Sequence, residues 1–190
     1  MGRGWVTSRP VVLAVAVVSV AVIGVGLYLF QPWKLWQDET VREALPSTAA
    51  TASPGPSQTS PGPTLSAPVG PQTVSAGQLI SHEHTTTGAV KIVRLADGSH
   101  TLRLENLDTS NGPDLHVWLT DAPVKEGKAG WEVFDDGKYV SLGKLKGNKG
   151  NKGDQNYVLP ADVDLSQYTS VSIWCDRFNV SFGAAALAKA

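Results

Sequence analysis

Sulfur is scarce in this chain of 190 residues, which has one cysteine, Cys175, and one methionine, Met1. A single cysteine excludes an intramolecular disulfide and an internal dithiol–disulfide cycle of the thioredoxin kind. It also excludes the Cys-x-x-Cys-His attachment of a c-type haem. An excess of positive charge is lacking too. Residues 76–190 carry 12 Lys/Arg against 14 Asp/Glu, so no basic face is available and nucleic acid is not expected as a partner. The chain contains neither a phosphate loop nor a serine-nucleophile elbow. No segment of the carboxyl-terminal part shows a 3.6-residue apolar period, which argues against helices there.

A long apolar run is present near the amino terminus. From Val11 to Phe30 there is no charge and nothing more polar than Ser19. Twenty helical residues span ~30 Å, the thickness of a bilayer's hydrocarbon core. A cleaved signal peptide is the competing reading, but its apolar stretch is shorter and ends at small residues. Here Trp33 and Trp36 follow instead, as interfacial anchors do. We therefore expect an uncleaved single-pass membrane anchor over residues 11–30, with residues 1–10 as a short cytoplasmic tail. Arg3 and Arg9 precede the span and Lys34 and Arg42 follow it, so charge bias alone sets orientation only weakly. The linker composition favours a body outside the cytoplasm.

Residues 31–75 read as a juxtamembrane segment and a disordered linker. Pro, Ser, Thr, Ala and Gly dominate from Leu45, with Ser53-Pro54-Gly55-Pro56 and Ser60-Pro61-Gly62-Pro63. Nothing in this composition can build a core, so a semi-extended spacer is expected.

Residues 76–190 read as all-β, an antiparallel β-sandwich. Strand signals fall at 88–95, 101–105, 114–120, 140–145, 157–159, 170–175 and 179–182, with a hairpin turn at Ala96-Asp97-Gly98-Ser99. The lysine-rich stretch holding Lys144, Lys146, Lys149 and Lys152 reads as a solvated loop. The repeat of Gly147-Asn148-Lys149 as Gly150-Asn151-Lys152 reads as a small loop duplication without chemistry.

Chemistry-bearing residues are few. His82 and His84 are two apart, and on a strand they would point the same way and share a ligand; a surface role is the plainer reading. Asp135-Asp136-Gly137 lacks the spaced carboxylates of a calcium loop and reads as a turn. Cys175 shares parity with Val171 and Ile173, so on a regular strand it faces the core. Core filling is one reading for it, because free cysteine is among the most buried residue types. An intermolecular bridge and a reactive or ligating sulfur remain the others, the last requiring exposure and a lowered pKa. Arg177 and the histidines are candidate neighbours of such a thiolate.

Several segments taken in order resemble the DM-thirteen electron-transfer domain family. They are His84-Thr85-Thr86-Thr87-Gly88, Gly112-Pro113-Asp114, Leu142-Gly143 with Lys144-Leu145-Lys146-Gly147, Gly153-Asp154-Gln155-Asn156-Tyr157, and Val171-Ser172-Ile173-Trp174-Cys175 with Phe178-Asn179-Val180-Ser181-Phe182-Gly183. The resemblance implies a β-sandwich displayed at a cell surface. It implies that Cys175 acts in redox chemistry, either as a naked thiol or as a ligand to a prosthetic group such as haem or to a metal. It also implies His84 and Asp114 as candidates for a second ligand or a base. The sequence itself names no cofactor. Two function classes follow: a membrane-anchored extracytoplasmic electron-transfer module centred on Cys175, with a redox partner or cell-surface protein, or a non-catalytic surface binding module in which Cys175 is structural.

Overall fold

The computed structural model describes residues 9–30, 38–46, 70–146 and 151–190. The Pro/Ser/Thr-rich repeats, Trp33, Trp36 and most of the lysine-loop duplication lie outside the described residues. The chain divides into two units, 1–37 and 38–190.

In the first unit, α1 (Arg9–Phe30) is one continuous helix. Within it, Pro10–Tyr28 is long and apolar enough to cross a membrane, with mean hydropathy 2.7. Valine and leucine side chains are exposed all around it. That pattern suits lipid contact rather than a one-sided core.

The second unit is the expected all-β sandwich. Its strands are β1 (Thr40–Arg42), β2 (Gln72–Gln78), β3 (Ile80–Ser81), β4 (Thr87–Arg94), β5 (His100–Asp108), β6 (Leu115–Thr120), β7 (Tyr139–Lys144), β8 (Lys152–Val158), β9 (Ser170–Cys175), β10 (Val180–Ala186) and β11 (Ala188–Lys189). One sheet runs β1-β8-β5-β4-β2-β11 and the other β3-β10-β9-β6-β7. Strand alternation turns Val90, Ile92, Leu102 and Leu104 of the first sheet toward Val117, Leu119, Val171 and Ile173 of the second, which together form the main core.

A second, smaller core lies on the outer face of the β9 sheet. Residues 121–138 fold over that face, so Trp118, Ala122, Phe134, Trp174 and Ala184 pack together there. This cover leaves all six residues of β9 buried.

One strand and the start of a second fall within residues 31–75, read from sequence as juxtamembrane segment and linker. β1 pairs parallel to β8, Val41 opposite Gly153, and β2 pairs with β4. β1 and β2 thus belong to one sheet. Gly153 makes the β1 approach possible, because it sits at φ +96° and a Cβ there would strike the Val41 carbonyl. Glu43 fixes the segment. Its carboxylate accepts from Lys146 Nζ at 2.8 Å and from the Asn156 N–H at 2.7 Å. Arg103 donates to the Glu43 carbonyl and Asn156 Nδ2 to that of Ala44.

Candidate functional site

Cys175 ends β9, with Leu115 of β6 opposite it on one side and Val180 of β10 on the other. Its parity with Val171 and Ile173 carries its side chain into the main core, where it has no exposed surface. The turn that follows, Asp176 to Asn179, is exposed. Phe178 there is 63% exposed.

Asp114 stands just before β6, and its carbonyl accepts from the Asp176 N–H at 3.0 Å. Its carboxylate lies on the other face of the sheet from the sulfur. There Asp114 Oδ1 is 3.1 Å from His116 Nε2 and 2.7 Å from Lys144 Nζ. His116 Nε2 is also 3.5 Å from Asp176 Oδ2, and its Nδ1 is 3.4 Å from Ser141 Oγ. Hydrogen bonds from Lys144 and then His116 hold the Asp114 carboxyl below its usual range. Among the described residues, Asp114, His116 and Asp176 form a group of ligand atoms all within 4.8 Å of one another. Such oxygen and imidazole donors can hold a divalent cation, for which the Lys144 ammonium competes.

The two histidines of the sequence reading have different partners. Both lie beyond the end of β3 in an irregular bend, so strand parity does not apply. His82, read as more surface than site, is buried at 7% exposure. Its Nδ1 is 2.8 Å from Ser181 Oγ and its Nε2 3.1 Å from the Lys125 carbonyl. Burial lowers its pKa, against a raising contribution from that carbonyl. His84 tilts over the Phe182 ring, centroids 3.9 Å apart, with Glu83 at 3.7 Å. Arg177 is exposed in the turn after Cys175.

The fold thus brings the backbone of Asp114 beside the end of β9 across the β6–β9 pair but separates its carboxylate from the Cys175 sulfur across the sheet. A haem or metal ligated by Cys175 needs an open face at the sulfur. The sulfur has no exposed surface, and it is not part of the donor group around His116. Among the described residues, two cavities of about 380 and 400 Å³ share His100 and Leu165 and do not include it. The first is lined by Thr169, just before the start of β9, whereas Cys175 is at the strand's other end. These surroundings do not fit a prosthetic group bound through the thiol.

Sequence reasoning missed His116 and Asp176. The Asp-Leu-His spacing of Asp114 and His116 was a usable local signal. Asp176 joins only through the β6–β9 register, which pairs Leu115 with Cys175.

The family model described as Electron transfer DM13 matches residues 78–187. No curated protein and no solved structure matches the chain.

Proposed function

We propose, from the premise that the chain belongs to the Electron transfer DM13 family, that it is a membrane-anchored, extracytoplasmic module passing electrons to or from a redox partner. The observation that carries this reading is the family match over 78–187, which lies within the larger unit. The apolar helix over Pro10–Tyr28 supports anchoring.

Cys175 is the proposed redox residue because it is the only thiol in the chain. His84 and Asp114 are kept as auxiliary candidates, Asp114 through His116 and Asp176. A sealed thiol cannot meet a disulfide or an oxidant directly. Its use therefore requires opening of the exposed 176–179 turn beside it, and the family's haem is not part of the proposal. One observation favours a second reading: with no exposed surface, Cys175 packs as a small hydrophobe between Ile173 and Val180. In that case the module transfers electrons without the thiol, or only binds a partner.

Electron exchange between the full-length chain in lipid nanodiscs and soluble one-electron couples tests the proposal. Cys175→Ala should abolish exchange while keeping cooperative unfolding. Exchange at the wild-type rate in that variant leaves Cys175 as core filling.

A further inference from the structure

The outer face of the β9 sheet carries a continuous ring stack that the thiol chemistry does not use. Tyr139 of β7 is 46% exposed. It lies over Trp118 of β6 with centroids 4.0 Å apart and planes 9° from parallel. Trp118 is 5% exposed and stacks in turn on Trp174 of β9, at 4.8 Å and 22°. Trp174 has no exposed surface. Three rings on three neighbouring strands thus lead from solvent to a sealed indole, and Cys175 is the next residue along the chain.

Two features separate this stack from ordinary aromatic packing. The indole N–H groups of both Trp118 and Trp174 are buried with no hydrogen-bond partner among the described residues. A buried donor left without a partner is costly, and such groups call for an explanation, a redox role among them. Phenylalanine or leucine would pack there with no donor to leave unpaired. The second feature is electrostatic. Trp174 is the cross-strand partner of His116, the imidazole that stands between the Asp114 and Asp176 carboxylates. Asp114 is also paired with the Lys144 ammonium at 2.7 Å, so it is Asp176 that leaves negative charge beside the inner end of the stack, where it favours a positive charge on that ring.

We propose that Tyr139, Trp118 and Trp174 form a one-electron relay, an inference that rests on the electron-transfer reading above. A one-electron acceptor seated at Tyr139 takes an electron through that ring from Trp118, so the acceptor is reduced and Trp118 becomes a radical cation. Trp174 then gives an electron to Trp118, and the positive charge moves to Trp174. A one-electron donor of the ascorbate class returns the electron through the same rings. No bond forms or breaks. Each indole keeps its proton, because neither Nε1 has an acceptor to receive it. The relay therefore carries charge between the surface and the residue next to Cys175 without proton transfer.

Light-driven oxidation of the full-length chain in nanodiscs tests this, with tris(bipyridyl)ruthenium(II) as photo-oxidant and hexaammineruthenium(III) as quencher. Indole radicals are followed by electron paramagnetic resonance, and oxidised residues are located by peptide mapping. Trp174 should be oxidised in the wild type despite having no exposed surface. Its oxidation should fall to background in Trp118→Leu and drop in Tyr139→Leu. Trp131→Phe should change nothing at Trp174. Trp131 also has an unpartnered indole N–H, but it lies outside the stack, with Lys128 Nζ 5.8 Å from its ring. If Trp118→Leu does not fold, the surface variant Tyr139→Leu decides the matter. Equal Trp174 oxidation with and without the outer rings overturns the relay and leaves the electron-transfer reading standing. Failure of that reading would show separately, as absence of dark exchange between the wild type and one-electron couples.

Discussion

Replacing Glu43 by alanine should release the β1 segment from the body. Glu43 makes an ion pair with Lys146, in which the two side chains are 32% and 38% exposed. A pair that exposed contributes about 0.2–1 kcal/mol. Its carboxylate also accepts the Asn156 N–H, and losing that half-buried bond costs about 0.5–1.5 kcal/mol. The sum is roughly 1–2 kcal/mol, or about 2–8 °C in Tm for a body of this size. Burial pushes the Glu43 carboxyl upward, but hydrogen bonds from Lys146 and the Asn156 N–H, with the Lys146 and Arg103 charges, outweigh it and the pKa is lowered. A lowered carboxyl pKa stabilises the fold above the unfolded value of 4.5, and the contribution is lost as pH falls through the folded value. The difference between wild type and Glu43→Ala should therefore be full at neutral pH and shrink in acid. Glu43→Gln, which keeps an acceptor for Asn156, should lose less and show little of that pH dependence. Hydrogen exchange reads the local effect. The amides of Glu43 and Lys152, bonded to the Asp154 and Glu39 carbonyls, should exchange about tenfold faster, the equivalent of about 1.4 kcal/mol, while the β4–β5 ladder keeps its protection. Unchanged exchange at those two amides would refute the docking argument.

Gly153→Ala should displace β1 altogether, since the new Cβ meets the Val41 carbonyl and the backbone holds φ +96°; loss of protection at residues 40–43 is the readout. The thiol of Cys175 should stay silent to a bulky labelling reagent in the folded chain and react at the rate of local opening or unfolding, so fast labelling under native conditions would contradict its burial. Protease added to intact cells should remove residues 76–190 and leave α1 in the membrane, and full protection until lysis would reverse the topology.

Sequence alone read the sandwich well where alternation was strong. Leu115, Val117 and Leu119 of β6, and Val171, Ile173 and Cys175 of β9, follow the period of two that one buried face dictates. It failed where burial is polar or borrowed. The strand β8 was read only at its apolar end, because Lys152-Gly153-Asp154-Gln155-Asn156 has no alternation, although Gln155 and Asn156 are buried. β1 is three residues held by partners far along the chain, Asn156, Arg103 and Lys146, and no local pattern announces it. The outer-face core was invisible for a related reason: Trp118 and Trp174 occupy the outward parity, and the cover of residues 121–138, with Tyr139 over Trp118, buries them. At the site, Cys175 was found because it is unique, whereas the His116 group depends on a register that sequence does not carry.

Mediated coulometric titration of the full-length chain in lipid nanodiscs, on wild type and Cys175→Ala together, measures electron transfer itself. The folded wild type should take up and release charge reversibly, and the variant should not. A folded wild type that stores no charge at any potential the mediators reach would contradict the electron-transfer reading.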